Sequence, residues 1–290
     1  LTYLISGTLF MQRIFLILGC ILAFSTSLVP ASVASDEPQS PQAIEIGKTY
    51  ALPSKILGQT RRINVYLPPG YDKSSQRYPV VYLLDGGVAE DFLHIVGIAS
   101  LAADFRNLRE FIVVGIEGID RYHDLTHPTT VETERKKLPT NGGSAAFRSF
   151  LADELQPFVK KTFRVTDETV LMGESVAGLF VVETLLRQPD LFEGYIAVSP
   201  SLWWDGQSLA KDASALLKKR PFPANRRLYL TIADEGGEMR QAVDLVAQAV
   251  KTQAPKDFNL TFAPKENETH GTIFHPAALE ALRKFFATTK

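Results

Sequence analysis

Thr169-Val170-Leu171-Met172-Gly173-Glu174-Ser175-Val176-Ala177-Gly178-Leu179-Phe180 is a buried-strand pattern that runs straight into a helix pattern, with Ser175 at the join. Such a join needs small residues on both sides of the serine, because strand and helix backbones pass closely there. It lifts Oγ out of the sheet and turns the following N–H, that of Val176, toward the same space. A hydroxyl is a weak nucleophile, so exposure combined with a nearby oxyanion donor is what makes it useful. Ala177 stands where a Gly-x-Ser-x-Gly pattern has its second glycine. One methyl group is compatible with close packing, but it makes the motif less specific. The competing reading of Ser175 is a plain helix N-cap.

Outward from this segment the chain alternates between strand-like and helix-like stretches, with no internal repeat. Arg62 to Leu67 alternates in the strand period and stops at Pro68-Pro69-Gly70. Tyr78 to Leu84 and Phe111 to Ile116 are continuous apolar runs, expected of strands covered on both faces. Further short strands are expected at Thr169 to Met172, Tyr195 to Val198, Leu228 to Ala233 and Phe258 to Phe262. Helical faces are formed by Phe147, Phe150, Leu151, Leu155 and Phe158, by Leu179, Val182 and Leu186, and by Met239, Val243, Val246 and Val250. This rhythm predicts an α/β fold with a mostly parallel central sheet and helices on both faces, in which ligands gather at the carboxyl ends of the strands.

A serine nucleophile requires a base, and the chain offers five histidines. His270 follows the last expected strand and a polar loop, which puts it on a strand-end loop. His275 adjoins Pro276 at the start of a helix, and His94 lies on an apolar helical face. His123 and His127, spaced i,i+4 beside Asp124, mimic a metal pair, but their segment from Asp120 to Pro128 reads as loop, so no metal site is assigned. An acid to orient the imidazole is expected after Leu228 to Ala233, where Asp234, Glu235 and Glu238 all lie. Glu235 is favoured and Asp234 stands second; if all are solvated, a Ser–His dyad remains. A second oxyanion donor is sought after Tyr78 to Leu84, at Asp85-Gly86-Gly87, and Gly87 with Val176 is the candidate pair. Trp203 and Trp204 follow the strand Tyr195 to Val198 and are candidates for walling an acyl pocket, although at least one of them suits the core better. Ser199 and Asp205 are expected to orient that loop.

Val65 to Tyr71 (VYLPPGY), Val81 to Gly86 (VYLLDG), Val113 to Ile116 with Asp120-Arg121 and Asp124 to Thr126, Gly173 to Gly178, Ser199 to Asp205 (SPSLWWD) and His270-Gly271 together resemble the putative-esterase branch of the α/β-hydrolases, the group that includes periplasmic siderophore esterases. The likeness runs from about Thr49 to the last residue. It implies Ser175 as nucleophile, His270 as base, an acid at Glu235, a backbone oxyanion donor one residue beyond Gly86, and ester hydrolysis with no cofactor. Ala177 departs from the pattern. So does the lack of a basic stretch suited to a ferric catecholate.

Composition narrows the remaining classes. The 31 basic and 32 acidic residues nearly cancel, and no Lys/Arg run is interleaved with aromatics, so a nucleic-acid partner is not expected. The single cysteine, Cys20, excludes a cysteine hydrolase built from the rest of the chain. Arg13, the apolar run Ile14 to Phe24 and Ser32-Val33-Ala34 predict a secretory signal over residues 1–34, with 1–10 an upstream extension. An uncleaved anchor, extended by Leu28 and Val29, and a loose lipoprotein box at Ile17 to Cys20 are the alternatives. Ser35 to Gln42 opens a polar linker over residues 35–48, and the catalytic domain is expected over residues 49–290. The mature protein is then periplasmic or secreted, acts on a small-molecule ester and keeps no stable membrane insertion. Acyl transfer on the same fold, or a catalytically inactive binding protein, are the other functions weighed.

Overall fold

The computed structural model describes residues 41–104, 108–220 and 222–288. The expected signal segment with Cys20, and the linker up to residue 40, lie outside the described residues. From Glu45 onward the chain forms one unit. Its strands are β1 (Lys48–Ser54), β2 (Gln59–Tyr66), β3 (Tyr78–Leu84), β4 (Ile112–Ile116), β5 (Val165–Glu174), β6 (Gly194–Val198), β7 (Arg227–Thr231) and β8 (Asn259–Phe262). Its helices are α1 (Phe92–Asp104), α2 (Arg121–Leu125), α3 (Glu132–Lys137), α4 (Ser144–Phe150), α5 (Gln156–Thr162), α6 (Val176–Arg187), α7 (Trp204–Lys219), α8 (Gly237–Gln253) and α9 (Phe274–Phe286).

The strands make one sheet in the order β1-β2-β4-β3-β5-β6-β7-β8. Only the β1/β2 and β2/β4 pairs are antiparallel. The others are parallel, with Val81 opposite Val113 and Val170, and Ile196 opposite Tyr229. This is the α/β-hydrolase fold. The continuous apolar runs do become central strands: every residue of β3, β4 and β6 is buried. Period-two alternation sends Val80, Tyr82 and Leu84 to the face covered by α4 to α8, and Val81 and Leu83 to the face covered by α1 and α9. Burial on both faces removes water from the sheet centre, the largest favourable term in folding.

Helices α3 and α7 carry no counterpart in the sequence reading, and two further elements differ from it. β1 was not expected. It is the edge partner of β2; Tyr50, Leu52 and Ser54 turn inward between exposed neighbours, but with Ala51 and Pro53 on the exposed side the residue types do not mark that alternation. The stretch from Asp120 to Pro128, expected as loop, contains helix α2, started by the Asp120 carboxylate accepting the His123 N–H at 3.0 Å.

Helix α2 is anchored to the sheet by a buried ion pair. Arg61 Nη1 on β2 donates to Asp124 Oδ2 at 2.7 Å, and Nη2 donates to the Glu117 carbonyl at 3.1 Å. The guanidinium also lies 5.2 Å from the Phe147 ring centroid. Since both side chains are nearly fully buried, removing one strands the other charge away from water. Arg61→Ala is therefore expected to lower unfolding stability by about 3–5 kcal/mol in a urea titration. Replacing Arg61 and Asp124 together by leucine should cost much less, and an equal or larger cost would refute the assignment of the loss to a stranded charge.

Candidate active site

The carboxyl ends of the parallel strands converge on one edge of the sheet, and each contributes a loop. β5 delivers Ser175 at φ 59°, ψ −118°, a backbone region that an L residue occupies only under strain. The turn is pinned from both sides. The Ser175 N–H donates to the Val198 carbonyl at 2.9 Å, and the Ser175 carbonyl accepts from Ser201 N–H and Leu179 N–H, each at 2.9 Å. A Cβ on Gly173 would lie 2.7 Å from the Ala177 Cβ, so the extra methyl at position 177 is accommodated because position 173 has no side chain. The Ser175 hydroxyl makes no capping bond to helix α6, which argues against the N-cap reading.

The hydroxyl meets His270 instead: Ser175 Oγ lies 3.0 Å from His270 Nε2. The other ring nitrogen, Nδ1, is hydrogen-bonded to Glu235 Oε1. Two backbone ties hold the acid and base loops together, Lys265 N–H to Ile232 O at 2.8 Å and Asp234 N–H to Glu268 O at 2.9 Å. Of the three acids the sequence offered, it is Glu235 that meets His270. The Glu235 side chain turns inward and is only 9% exposed, while Asp234 and Glu238 remain exposed.

The other candidates separate. Trp204 is buried, and its indole N–H donates to the His127 carbonyl at 2.9 Å, so its expected place in an acyl pocket is corrected to a core position. Trp203 is half-buried and meets Trp204 edge-on at 6.0 Å. Ser199 and Asp205 do orient loops: Ser199 Oγ accepts the Ala233 N–H at 3.2 Å, and Asp205 Oδ1 accepts the Thr130 N–H at 2.6 Å. The Val176 N–H lies in the first turn of α6, where N–H groups have no helical acceptor. The Gly87 N–H is already taken, donating to Glu90 Oε2 at 2.6 Å. This corrects the expectation of a free donor there, since a substrate oxygen reaches that N–H only by displacing the carboxylate.

Several charged neighbours were not singled out from the sequence. Arg121 clamps Asp85 through Nε at 2.9 and 3.0 Å, and its Nη2 reaches the Glu174 carbonyl at 3.3 Å. Burial, with Asp91 and Glu235 nearby, pushes the Glu174 carboxyl up to about 7. Burial, with Asp85 and Glu90 nearby, pushes Asp91 up to about 6. The hydrogen bond to Glu235 raises the His270 imidazole above its ordinary value, against the opposing pull of desolvation. The flank of Ser175 is thus acidic, and Arg121 beside it is committed to Asp85.

The model of the putative esterase family matches residues 54–272. The chain belongs to that family. Ferri-bacillibactin esterase BesA of Bacillus subtilis is 30% identical over 166 residues, which cover 51% of this chain and 57% of that protein. The esterase-family chain therefore spans little more than half of that relative. Apo-salmochelin esterase of Escherichia coli is 24% identical over 294 residues, covering 93% of this chain and 90% of the other. The crystal structure of an IroE-like serine hydrolase from Shewanella oneidensis superposes with a TM-score of 0.74 at 28% identity, covering 83% of this chain and 80% of that one.

The remaining histidines of this esterase-family protein are placed elsewhere. His94 stacks on His275 at 4.5 Å, and burial together with that neighbour lowers its pKa. His123 Nδ1 pairs with the Thr140 carbonyl at 2.6 Å. His127 Nε2 lies 3.2 Å from Ser208 Oγ. Among the described residues no cluster of three or more His, Cys, Asp or Glu side chains is arranged to hold a metal ion. Nor is any described helix long and apolar enough to cross a membrane.

Proposed function

We propose that this protein is a serine carboxylic-ester hydrolase acting through an acyl-enzyme. The observation that carries this reading is the unbroken relay from Glu235 through His270 to Ser175. With its Nδ1–H donated to Glu235, the imidazole presents the Nε2 lone pair to the serine proton. Ser175 Oγ attacks the ester carbonyl carbon as its proton passes to Nε2. The tetrahedral oxyanion collapses, the C–O bond to the alcohol breaks, and Nε2 returns the proton to that leaving oxygen. Water then enters by the same route, giving up a proton to Nε2 as its oxygen bonds the acyl carbon; the C–O bond to Ser175 breaks, Nε2 returns the proton to Oγ, and the acid is released. Val176 N–H is the proposed oxyanion donor. An inert binding fold would have no use for a strained serine aligned on an imidazole that an inward-turned carboxylate holds.

The names of the relatives support a siderophore-like ester, and the charge around the serine narrows it. Well above pH 7, Glu174, next to Ser175, and its neighbour Asp91 carry negative charge, and Arg121 is already paired with Asp85. A neutral, metal-free catechol trilactone can donate O–H groups to these carboxylates, whereas its trianionic ferric complex meets like charge. Hydrolysis of the two forms by the purified protein should show kcat/KM at least about tenfold higher for the metal-free form at low salt, narrowing as salt screens the field. Equal rates, or a preference for the ferric complex, would sink the charge argument while leaving the hydrolase reading intact.

A further inference from the structure

We infer that Ser201 is a positioning residue that fixes the rotamer of the nucleophile, an inference that rests on Ser175 being that nucleophile. Ser201 is 3% exposed. Its hydroxyl lies 3.3 Å from Ser175 Oγ and has no other hydrogen-bond partner among the described residues. The direction of that bond follows from the relay. His270 donates its Nδ1 proton to Glu235, so Nε2 is an acceptor and takes the Ser175 proton. Ser175 Oγ then has only lone pairs to offer, and the proton between the two serines comes from Ser201. The nucleophile is held from two directions, as donor to His270 and as acceptor from Ser201, and only one staggered setting of its Cα–Cβ bond satisfies both.

The backbone of the same loop explains why the hydroxyl is where it is. Ser201 N–H donates to the Ser175 carbonyl at 2.9 Å, and Ser199 N–H donates to the Thr231 carbonyl at 2.9 Å. Ser199 Oγ accepts the Ala233 N–H, two residues before Glu235. Pro200 stiffens the link, and a Cβ on Gly178 would approach its Cα to 3.0 Å, so helix α6 seats directly on the loop. The segment Ser199 to Ser201 therefore ties the serine turn to the strand end that bears the acid. Alanine at position 201 would keep the packing and the backbone bonds and remove only the hydroxyl.

Ser201→Ala is expected to lower kcat, and the second-order rate of inactivation by a fluorophosphonate, each by about tenfold. KM should stay within about twofold and Tm within about 2 °C. The acid limb of the pH profile should not move, because no charge is altered. Ser201→Thr, which restores the hydroxyl, should regain most of the loss. Retention of kcat within about twofold in Ser201→Ala, or a Ser201→Thr protein that folds with unchanged Tm yet is no faster than the alanine variant, would overturn the assignment. Failure of the wild-type protein to be labelled at Ser175 would instead overturn the hydrolase reading, so the two failures are distinguishable.

Discussion

Ser175→Ala is expected to reduce hydrolysis of short-chain acyl esters by ~10⁴-fold or more, since without the hydroxyl neither the covalent step nor the proton transfer to His270 remains. Folding should hardly notice the change. The serine makes no capping bond, its backbone keeps the ties to Val198, Leu179 and Ser201, and alanine retains the Cβ that the turn already tolerates. A companion variant separates strain from chemistry. At φ 59°, ψ −118° the Cβ costs about 1–3 kcal/mol, and glycine relieves it while giving back up to ~1 kcal/mol through a more disordered unfolded chain. Ser175→Gly should therefore be inactive and melt above Ser175→Ala. Thermal scans of the two side by side decide it: a glycine variant melting below the alanine variant would mean that the turn stores no strain.

The parts of this site that could be read from the sequence are those set by local pattern. An apolar strand stopping at a serine flanked by small residues is a backbone requirement, so Ser175 was visible. His270 was visible because a polar loop after the last strand leaves few other places for a base. The choice of Glu235 over Asp234 was open because adjacent residues differ only in which way they turn, and that is fixed by the Asp234 N–H bond to Glu268 O across a loop more than thirty residues away in the chain. The two tryptophans were ambiguous for a similar reason. Trp204 goes inward because its N–H finds the His127 carbonyl, a partner far away in the chain. Glu90 on the Gly87 N–H is a rotamer, and no periodicity announces it. The acidic flank arises only when the segments after β3 and around Ser175 meet, so Asp85 and Glu174 were seen as motif residues and Asp91 not at all, without their combined charge. The central place of β3 and β4 in the sheet follows from continuous apolar runs that must be covered on both faces, whereas β1, exposed along much of its length, leaves no such imprint.

The second large effect concerns the acid. Glu235→Gln should lower kcat/KM by roughly 10³–10⁴-fold if the amide turns its NH₂ toward Nδ1 and forces the proton onto Nε2, where it blocks acceptance from Ser175. The surviving activity carries a second signature. The base must be neutral to act, so kcat/KM falls as pH drops through the His270 pKa. That pKa is raised, first by the hydrogen bond to Glu235 and further by the charges of Glu235 and Glu174. Removing the Glu235 charge makes the imidazolium less favourable, so the acid limb of the profile moves to lower pH in Glu235→Gln. Glu174→Gln should move it in the same direction by a smaller step, and should also remove a carboxyl that titrates near 7 from the same pH range. Profiles of kcat/KM between about pH 5 and 9 for the three proteins test the order: wild type highest, Glu174→Gln next, Glu235→Gln lowest. A limb that stays in place in Glu235→Gln would mean that Glu235 is not ionised against His270 in the working enzyme, and the relay would reduce to Ser175 and His270 alone.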